Sequence, residues 1–114
     1  MIQQFEDIIA WKKSQLFAIE IYTEFSKIKD FGFKDQICRA VISISNNIAE
    51  GYDRHTKKEF VRFLYIAHAS CSEVKSMLYL ATPLQYISLD QQQKLMMDAN
   101  EISKLLRGLI KSCS

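Results

Sequence analysis

The sequence predicts an all-α protein, an antiparallel up-down-up-down four-helix bundle that forms one domain over residues 1–114. Four long segments carry apolar residues every three or four positions, which is the spacing of one helix face. With three Gly and one Pro in 114 residues, the chain has few of the turn residues that many short strands would need. The stretches between the segments are short, and short connections join antiparallel helices.

The first two helices are expected to be joined by a tight turn. The first is predicted from about residue 7 to 29, and Asp30-Phe31-Gly32 ends it. The second is predicted from about residue 33 to 52. Its apolar seam consists of Ile37, Val41, Ile44, Ile48 and Gly51. Because the seam alternates steps of three and four, it is typical of left-handed bundle packing.

The third helix is predicted from about residue 57 to 81. Thr56 is placed to cap its start, because Glu59 stands at the capping-box position three residues later. Thr82-Pro83 ends it, since the residue before a proline avoids the helical region.

The fourth helix begins after a second capping signal. Either Ser88 or Asp90 is placed to cap it, and the apolar spacing continues to about Cys113. Its seam consists of Leu95, Ala99, Ile102, Leu106, Leu109 and Cys113.

Cysteine usage and charge limit the classes of protein. Cys38, Cys71 and Cys113 are odd in number and far apart, without a CxxC pair, so we expect a reducing, cytoplasmic environment rather than a disulfide framework or a zinc site. No segment approaches ~18 uninterrupted apolar residues, so we expect no membrane partner, and the N-terminus lacks a signal-peptide pattern. The net charge of +2 does not by itself indicate a nucleic-acid partner.

A polar stripe runs beside the apolar seam of the second helix, through the segment SNNIAEG. Asn is a poor residue for a helix interior because its side chain competes for backbone hydrogen bonds. The stripe consists of Gln36, Arg39, Ser43, Asn47, Glu50 and Arg54. The third helix carries a similar stripe of Glu59, Arg62, Ser70 and Glu73, interrupted by Ile66.

Antiparallel packing of the two stripes predicts a ladder of opposite charges. The expected pairs are Arg54 with Glu59, Glu50 with Arg62, and Arg39 with Glu73. We therefore interpret the stripes as a structural polar network, and its proposed members are Arg39, Ser43, Asn47, Glu50, Ser70 and Glu73. The handedness of the bundle leaves open whether the network joins these two helices or faces another subunit.

The side of the second helix that lies opposite its apolar seam also carries apolar residues. Cys38 and Ile42 lie there, and apolar residues on more than one face indicate burial on more than one face. A monomeric bundle would leave both exposed, so we expect a homo-oligomer.

The segment DQICRAVISISNNIAEGYDRHTKKEFVRFLYIAHASCSEV, residues 35–74, resembles a known bacterial family. The family pattern is roughly DQIRRAxSIPSNIAEGxxRxxxEFxxFLxIAxGSxxE, and most of its specified positions match. The chain therefore resembles the 23S rRNA intervening-sequence proteins, also called S23 ribosomal protein-like. It departs from the pattern at Cys38, Ser45 and Ala69, and a later LGY motif has Gln85 in place of its glycine.

The resemblance implies an antiparallel four-helix bundle that assembles as a ring-like homopentamer. It also implies a relation to the accessory variability proteins of diversity-generating retroelements, which are basic barrels that bind nucleic acid and act with a reverse transcriptase. No enzymatic activity, cofactor or metal comes with the family, so none is expected here.

The start of the third helix carries the strongest basic run. Arg54, His55, Lys57, Lys58 and Arg62 are candidate contacts for the phosphates of RNA or DNA, and repetition around a ring would multiply their effect. The alternative is an ordinary solvated helix start. A second, sparser stripe on the fourth helix consists of Lys94, Lys104, Arg107 and Lys111.

Catalytic interpretations of the polar residues are weaker. A di-iron site would need Glu-x-x-His motifs, and neither His55 nor His68 has an acidic residue three positions before it. An enzyme built on Glu50 and Glu73 would need a dry pocket around them. The sequence thus predicts a non-enzymatic homo-oligomer that binds RNA or DNA, and the resemblance implies a reverse transcriptase or another protein as partner. The alternative is a protein-interaction scaffold that binds no nucleic acid.

Overall fold

A computed structural model describes residues 1–113 and confirms the predicted all-α, four-helix class. A short 3-10 turn precedes the bundle at Phe5–Asp7. The helices are α1 (Ile9–Glu24), α2 (Phe31–Tyr52), α3 (Lys57–Ala81) and α4 (Leu89–Ser112). Each helix packs against the next one along the chain, and α4 returns to pack against α1. Within the described part, none of the helices combines the length and the apolar character that crossing a membrane requires.

One buried apolar cluster lies along the axis of the bundle and takes residues from every helix. Ile21, Ile44, Leu64 and Leu106 are fully shielded from solvent. Each such side chain contributes about 1.5–3 kcal/mol to folding when it leaves water. The predicted seams of α2 and α4 face this cluster, with Leu109 and Cys113 only partly buried.

The first connection differs from the prediction at both ends. α1 ends at Glu24, and residues 25–27 form a turn instead of continuing the helix to residue 29. α2 begins at Phe31 because Asp30 caps it, with the Asp30 side chain accepting a bond from the Phe33 backbone N–H at 3.1 Å. Asp30 was interpreted as a helix breaker, and it is an N-cap, which is a common position for Asp.

The other two helix starts follow their sequence signals. Thr56 accepts a bond from the Glu59 backbone N–H at 3.2 Å, and α3 has the predicted bounds. Of the two residues considered for α4, Ser88 is the cap. Its hydroxyl accepts from the Gln91 backbone N–H at 3.1 Å, and the Gln91 side chain accepts from the Ser88 N–H at 2.7 Å.

The α3–α4 connection contains a left-handed residue where the family pattern has glycine. Gln85 has φ 65°. The Tyr86 N–H donates to the Ala81 carbonyl at 2.9 Å, which is the bond that closes a Schellman motif. The Tyr86 hydroxyl then donates to Asp30 at 2.6 Å and ties this loop to the α1–α2 connection.

The structure corrects one argument for oligomerisation. Cys38 is only 7% exposed within the single chain, because the bundle itself covers it beside Tyr22 of α1. Ile42, at 36%, does remain exposed. The expectation of a homo-oligomer therefore rests on Ile42 and its neighbours and no longer on Cys38.

Candidate nucleic-acid interface

The helices α2 and α3 approach closely at Gly51, just before the basic run. A Cβ atom on Gly51 would lie 2.5 Å from the Cβ of Phe63, so any larger residue meets the opposite helix. Phe63 is 6% exposed and its ring lies under two guanidinium groups. The Cζ atoms of Arg54 and Arg62 are 5.0 and 4.6 Å from the ring centroid, which is cation–π geometry.

Both arginines of the candidate site are matched by carboxylates. Arg54 pairs with Glu50 at 3.0 Å and lies 3.9 Å from Glu59, as the ladder predicted. Arg62 pairs with Glu59 at 2.9 Å. The hydrogen bond from Arg62 is the main cause that lowers the pKa of Glu59, and the same bond raises the pKa of Arg62. Two positive and two negative groups therefore compensate each other around Phe63.

The remaining cations of the run lie at the first turn of α3. Lys57 and Lys58 are exposed and form no ion pair within residues 1–113. His55 precedes them with φ 67° and lines the same groove as Lys57. A groove of ≈ 310 Å³ lies here, lined by Gln3, Tyr52, His55, Thr56, Lys57 and Phe60. The helix N-terminus adds a partial positive charge at this point.

The centre of the predicted polar network is formed by uncharged side chains. The hydroxyls of Ser43 and Ser70 are 2.8 Å apart and join α2 to α3. The Asn47 side-chain amide donates to the Ser43 carbonyl at 2.7 Å and to its hydroxyl at 2.9 Å. Asn47 is thus tolerated in a helix because its amide is satisfied one turn back along the same helix.

Two predicted charge pairs do not form. Arg39 pairs with Asp35 at 2.8 Å, one turn earlier on α2. Glu73 instead accepts a hydrogen bond from Gln36. Glu50 pairs with Arg54 on its own helix, and Arg62 with Glu59. Partners three or four residues apart are neighbours on one helix, so they compete with partners across the interface. Asp35 was not predicted as the partner of Arg39, because the ladder considered only partners on the opposite helix.

The first two residues of SNNIAEG, Ser45 and Asn46, lie on the α1 side of α2. Ser45 is buried and its hydroxyl accepts a bond from the Gln15 side chain at 3.0 Å. Asn46 lies at the edge of a groove of ≈ 340 Å³ between α1 and α2. The apolar members of that groove are Ala18, Ile19, Tyr22 and Ile42, and the last three are exposed.

Not every cation in the second basic stripe, on α4, keeps its charge free for a ligand. Lys94 contacts Glu20 of α1 at 2.6 Å and Asp98 at 3.1 Å, so its charge is compensated. Arg107 instead contacts the Nε2 atom of His68 at 3.3 Å. Burial is the main cause that lowers the pKa of His68, and the charges of Arg107 and Lys75 add to it. A guanidinium group can only donate, so Nε2 of His68 accepts this bond, and Arg107 forms no ion pair among the described residues.

The structure offers little for the catalytic hypothesis. Glu50 and Glu73 are both exposed, so the dry pocket that an acid–base pair would need does not surround them. In the part of the chain that is described, no group of three His, Cys, Asp or Glu side chains is arranged to hold a metal ion.

The fold and the polar α2–α3 interface define the class of protein: an all-α four-helix bundle. The chain belongs to the family of 23S rRNA-intervening sequence proteins, whose model matches residues 6–108. A crystal structure of a protein with unknown function, from the S23 ribosomal protein family of Bacteroides thetaiotaomicron VPI-5482, has a similar fold. Its TM-score is 0.84 with 32% identity, over 90% of this chain and 99% of that one. No curated protein matches the chain.

These comparisons confirm the family resemblance seen in the sequence. The structural neighbour has no assigned function, and the family description names no reaction. The relation to accessory proteins of retroelements stays a prediction.

Proposed function

We propose that this protein is a non-enzymatic, homo-oligomeric nucleic-acid-binding protein of the cytoplasm. The observation that carries the proposal is the pair of exposed lysines at the start of α3, Lys57 and Lys58, which form no ion pair among the described residues and lie beside His55. Phosphate contacts need accessible cations, and a helix N-terminus strengthens them. Arg54 and Arg62 are assigned a supporting role, since their carboxylate partners already use their charge.

Assembly is part of the proposal because one modest basic cluster binds weakly. The groove between α1 and α2 exposes Ile19, Tyr22 and Ile42, which favours a second copy as its occupant. The resemblance implies five subunits. A ring would present the lysine pair several times, and linked weak contacts bind far more tightly than one. A reverse transcriptase or another protein remains the proposed partner of the assembly.

The proposal is tested by reversing the charge of the lysine pair. The double variant Lys57→Glu and Lys58→Glu is compared with Lys27→Glu and Lys29→Glu, which changes the net charge equally at the α1–α2 connection. Filter binding to RNA is measured from low to high salt. We expect the first variant to bind RNA at least tenfold more weakly. We also expect the slope of log binding constant against log salt concentration to decrease in magnitude by about 2, one for each lost phosphate contact. Equal RNA retention by the two variants would contradict the proposal.

A second candidate function is a protein-interaction scaffold that binds no nucleic acid. The exposed apolar side chains between α1 and α2 favour it, because they suit a protein partner as well as a second copy. Native mass spectrometry at low salt, on protein purified without nuclease, separates the candidates. Extra nucleic-acid mass on the oligomer supports the first, whereas a bare oligomer that retains a protein partner supports the second.

A further inference from the structure

A second cationic surface lies on the opposite side of α3, in the groove between α3 and α4. The groove measures ≈ 430 Å³ and is lined by Tyr65, His68, Arg107, Ile110 and Lys111. No Asp or Glu is among the described residues that line it. Neither of the proposed roles above uses this surface.

Two acidic residues of α4 form ion pairs outside the groove. Asp98 contacts Lys94, and Glu101 pairs with Lys13 of α1 at 3.3 Å, so both are engaged on the α1 side of the bundle. The charges that act on His68 come from Arg107 and Lys75, which are both cations. The positive charge of the groove is therefore not balanced within residues 1–113, in contrast to the arginines above Phe63.

Aromatic side chains are placed along the same face of α3. Tyr65 is 60% exposed and Tyr79 is 61% exposed. The positions 65, 68, 72, 75 and 79 step by three and four, so they follow one stripe. Tyr65 and Tyr79 are separated by roughly 21 Å of helix at ~1.5 Å per residue. Exposed aromatic rings between cations suit a chain with alternating planar bases and phosphates.

We infer that the α3–α4 groove binds single-stranded nucleic acid, with Tyr65 as a stacking platform for a base and with Arg107 and Lys111 as phosphate contacts. The inference rests on the proposed function and adds the class of strand. A duplex presents phosphates but keeps its bases stacked, so it would use the cations without the tyrosine. Single strands expose bases to an aromatic side chain, and that stacking tolerates any sequence.

The test separates stacking from charge. Anisotropy is measured with a labelled RNA of about 12 nucleotides, within the site sizes known for single-strand binders, and with a duplex of the same length. The variant Tyr65→Leu keeps an apolar side chain and loses the ring, while Tyr65→Phe keeps the ring. Phe31→Leu, at an aromatic residue that is 75% exposed at the start of α2 and lies outside both proposed surfaces, is the control.

We expect Tyr65→Leu to weaken single-strand binding roughly tenfold, within the range of one lost stacking contact, and to change duplex binding less than twofold. Tyr65→Phe and Phe31→Leu should bind like the original protein. Photocrosslinking with 5-iodouridine should attach RNA to a peptide containing Tyr65. The inference would be overturned if Tyr65→Leu left single-strand binding unchanged. An equal loss of duplex binding, or crosslinks only to peptides outside the groove, would also overturn it.

The failure of this inference is distinguishable from failure of the proposed function. If Lys57→Glu with Lys58→Glu abolishes binding of both RNA forms while Tyr65→Leu changes neither, the proposed function stands and the groove assignment is wrong. If the unmodified protein binds neither form at low salt, both are wrong.

Discussion

Replacing Gly51 by alanine tests the close approach of α2 and α3 that positions the candidate interface. The new Cβ would lie 2.5 Å from the Cβ and 3.2 Å from the Cγ of Phe63. Optimal carbon–carbon contacts are about 3.5–4.0 Å, so the shortfall is roughly 1.0–1.5 Å. The Cβ of Phe63 is fixed to its backbone and cannot rotate away, so the two helices must separate.

Two opposing terms set the size of the effect. Overpacking of this kind costs about 1–3 kcal/mol. Alanine is favoured over glycine inside a helix by roughly 0.8–1.0 kcal/mol. We therefore expect Gly51→Ala to lower the free energy of unfolding by about 1 kcal/mol, although the same change usually stabilises a helix.

Gly108→Ala provides a matched control on α4. No atom lies within 4 Å of a Cβ added there, so only the helix-propensity gain applies. The difference between the two variants isolates the packing term and should be about 1–3 kcal/mol. Urea unfolding followed by circular dichroism measures it, with equal slopes confirming that only stability changed. If Gly51→Ala were as stabilising as Gly108→Ala, the close contact with Phe63 would be refuted.

Two further predictions concern loop strain and pH. Gln85→Gly should raise the free energy of unfolding by about 0.5–1 kcal/mol in the same assay, because glycine adopts the left-handed conformation without the penalty that Gln85 carries; a loss of stability would contradict this. His68→Gln should flatten the pH dependence of stability. The folded-state pKa of His68 lies below its ordinary 6.5, so the neutral side chain contributes stability above pH 6.5 that is lost as the pH falls through the folded-state pKa. Between pH 7.5 and 5.5, the urea midpoint of the original protein should therefore fall more than that of the variant. An equal fall in both proteins would show that the titration of His68 does not cause the pH dependence.

Local chemistry explains why much of the bundle was predictable. The seam of α2, the cap at Thr56 and the stop at Thr82-Pro83 each depend on residues within a few positions of one another. The end of α1 and the start of α2 were predicted less accurately, because Asp30 can either stop one helix or cap the next. A left-handed residue at Gln85 was not predicted, since its conformation follows from how the loop closes.

The candidate site was predictable as a set of residues but not as a set of charges. The sequence by itself determined four amphipathic helices, the family, and a basic run at the start of α3, because periodicity, caps and motifs are written along the chain. Only the tertiary structure decided which cations stay uncompensated. Lys94 meets Glu20 from a helix distant in sequence, whereas the described residues that line the groove of Lys111 include no Asp or Glu. Net charge at a surface depends on which side chains come within a few ångströms, and helix packing sets those distances.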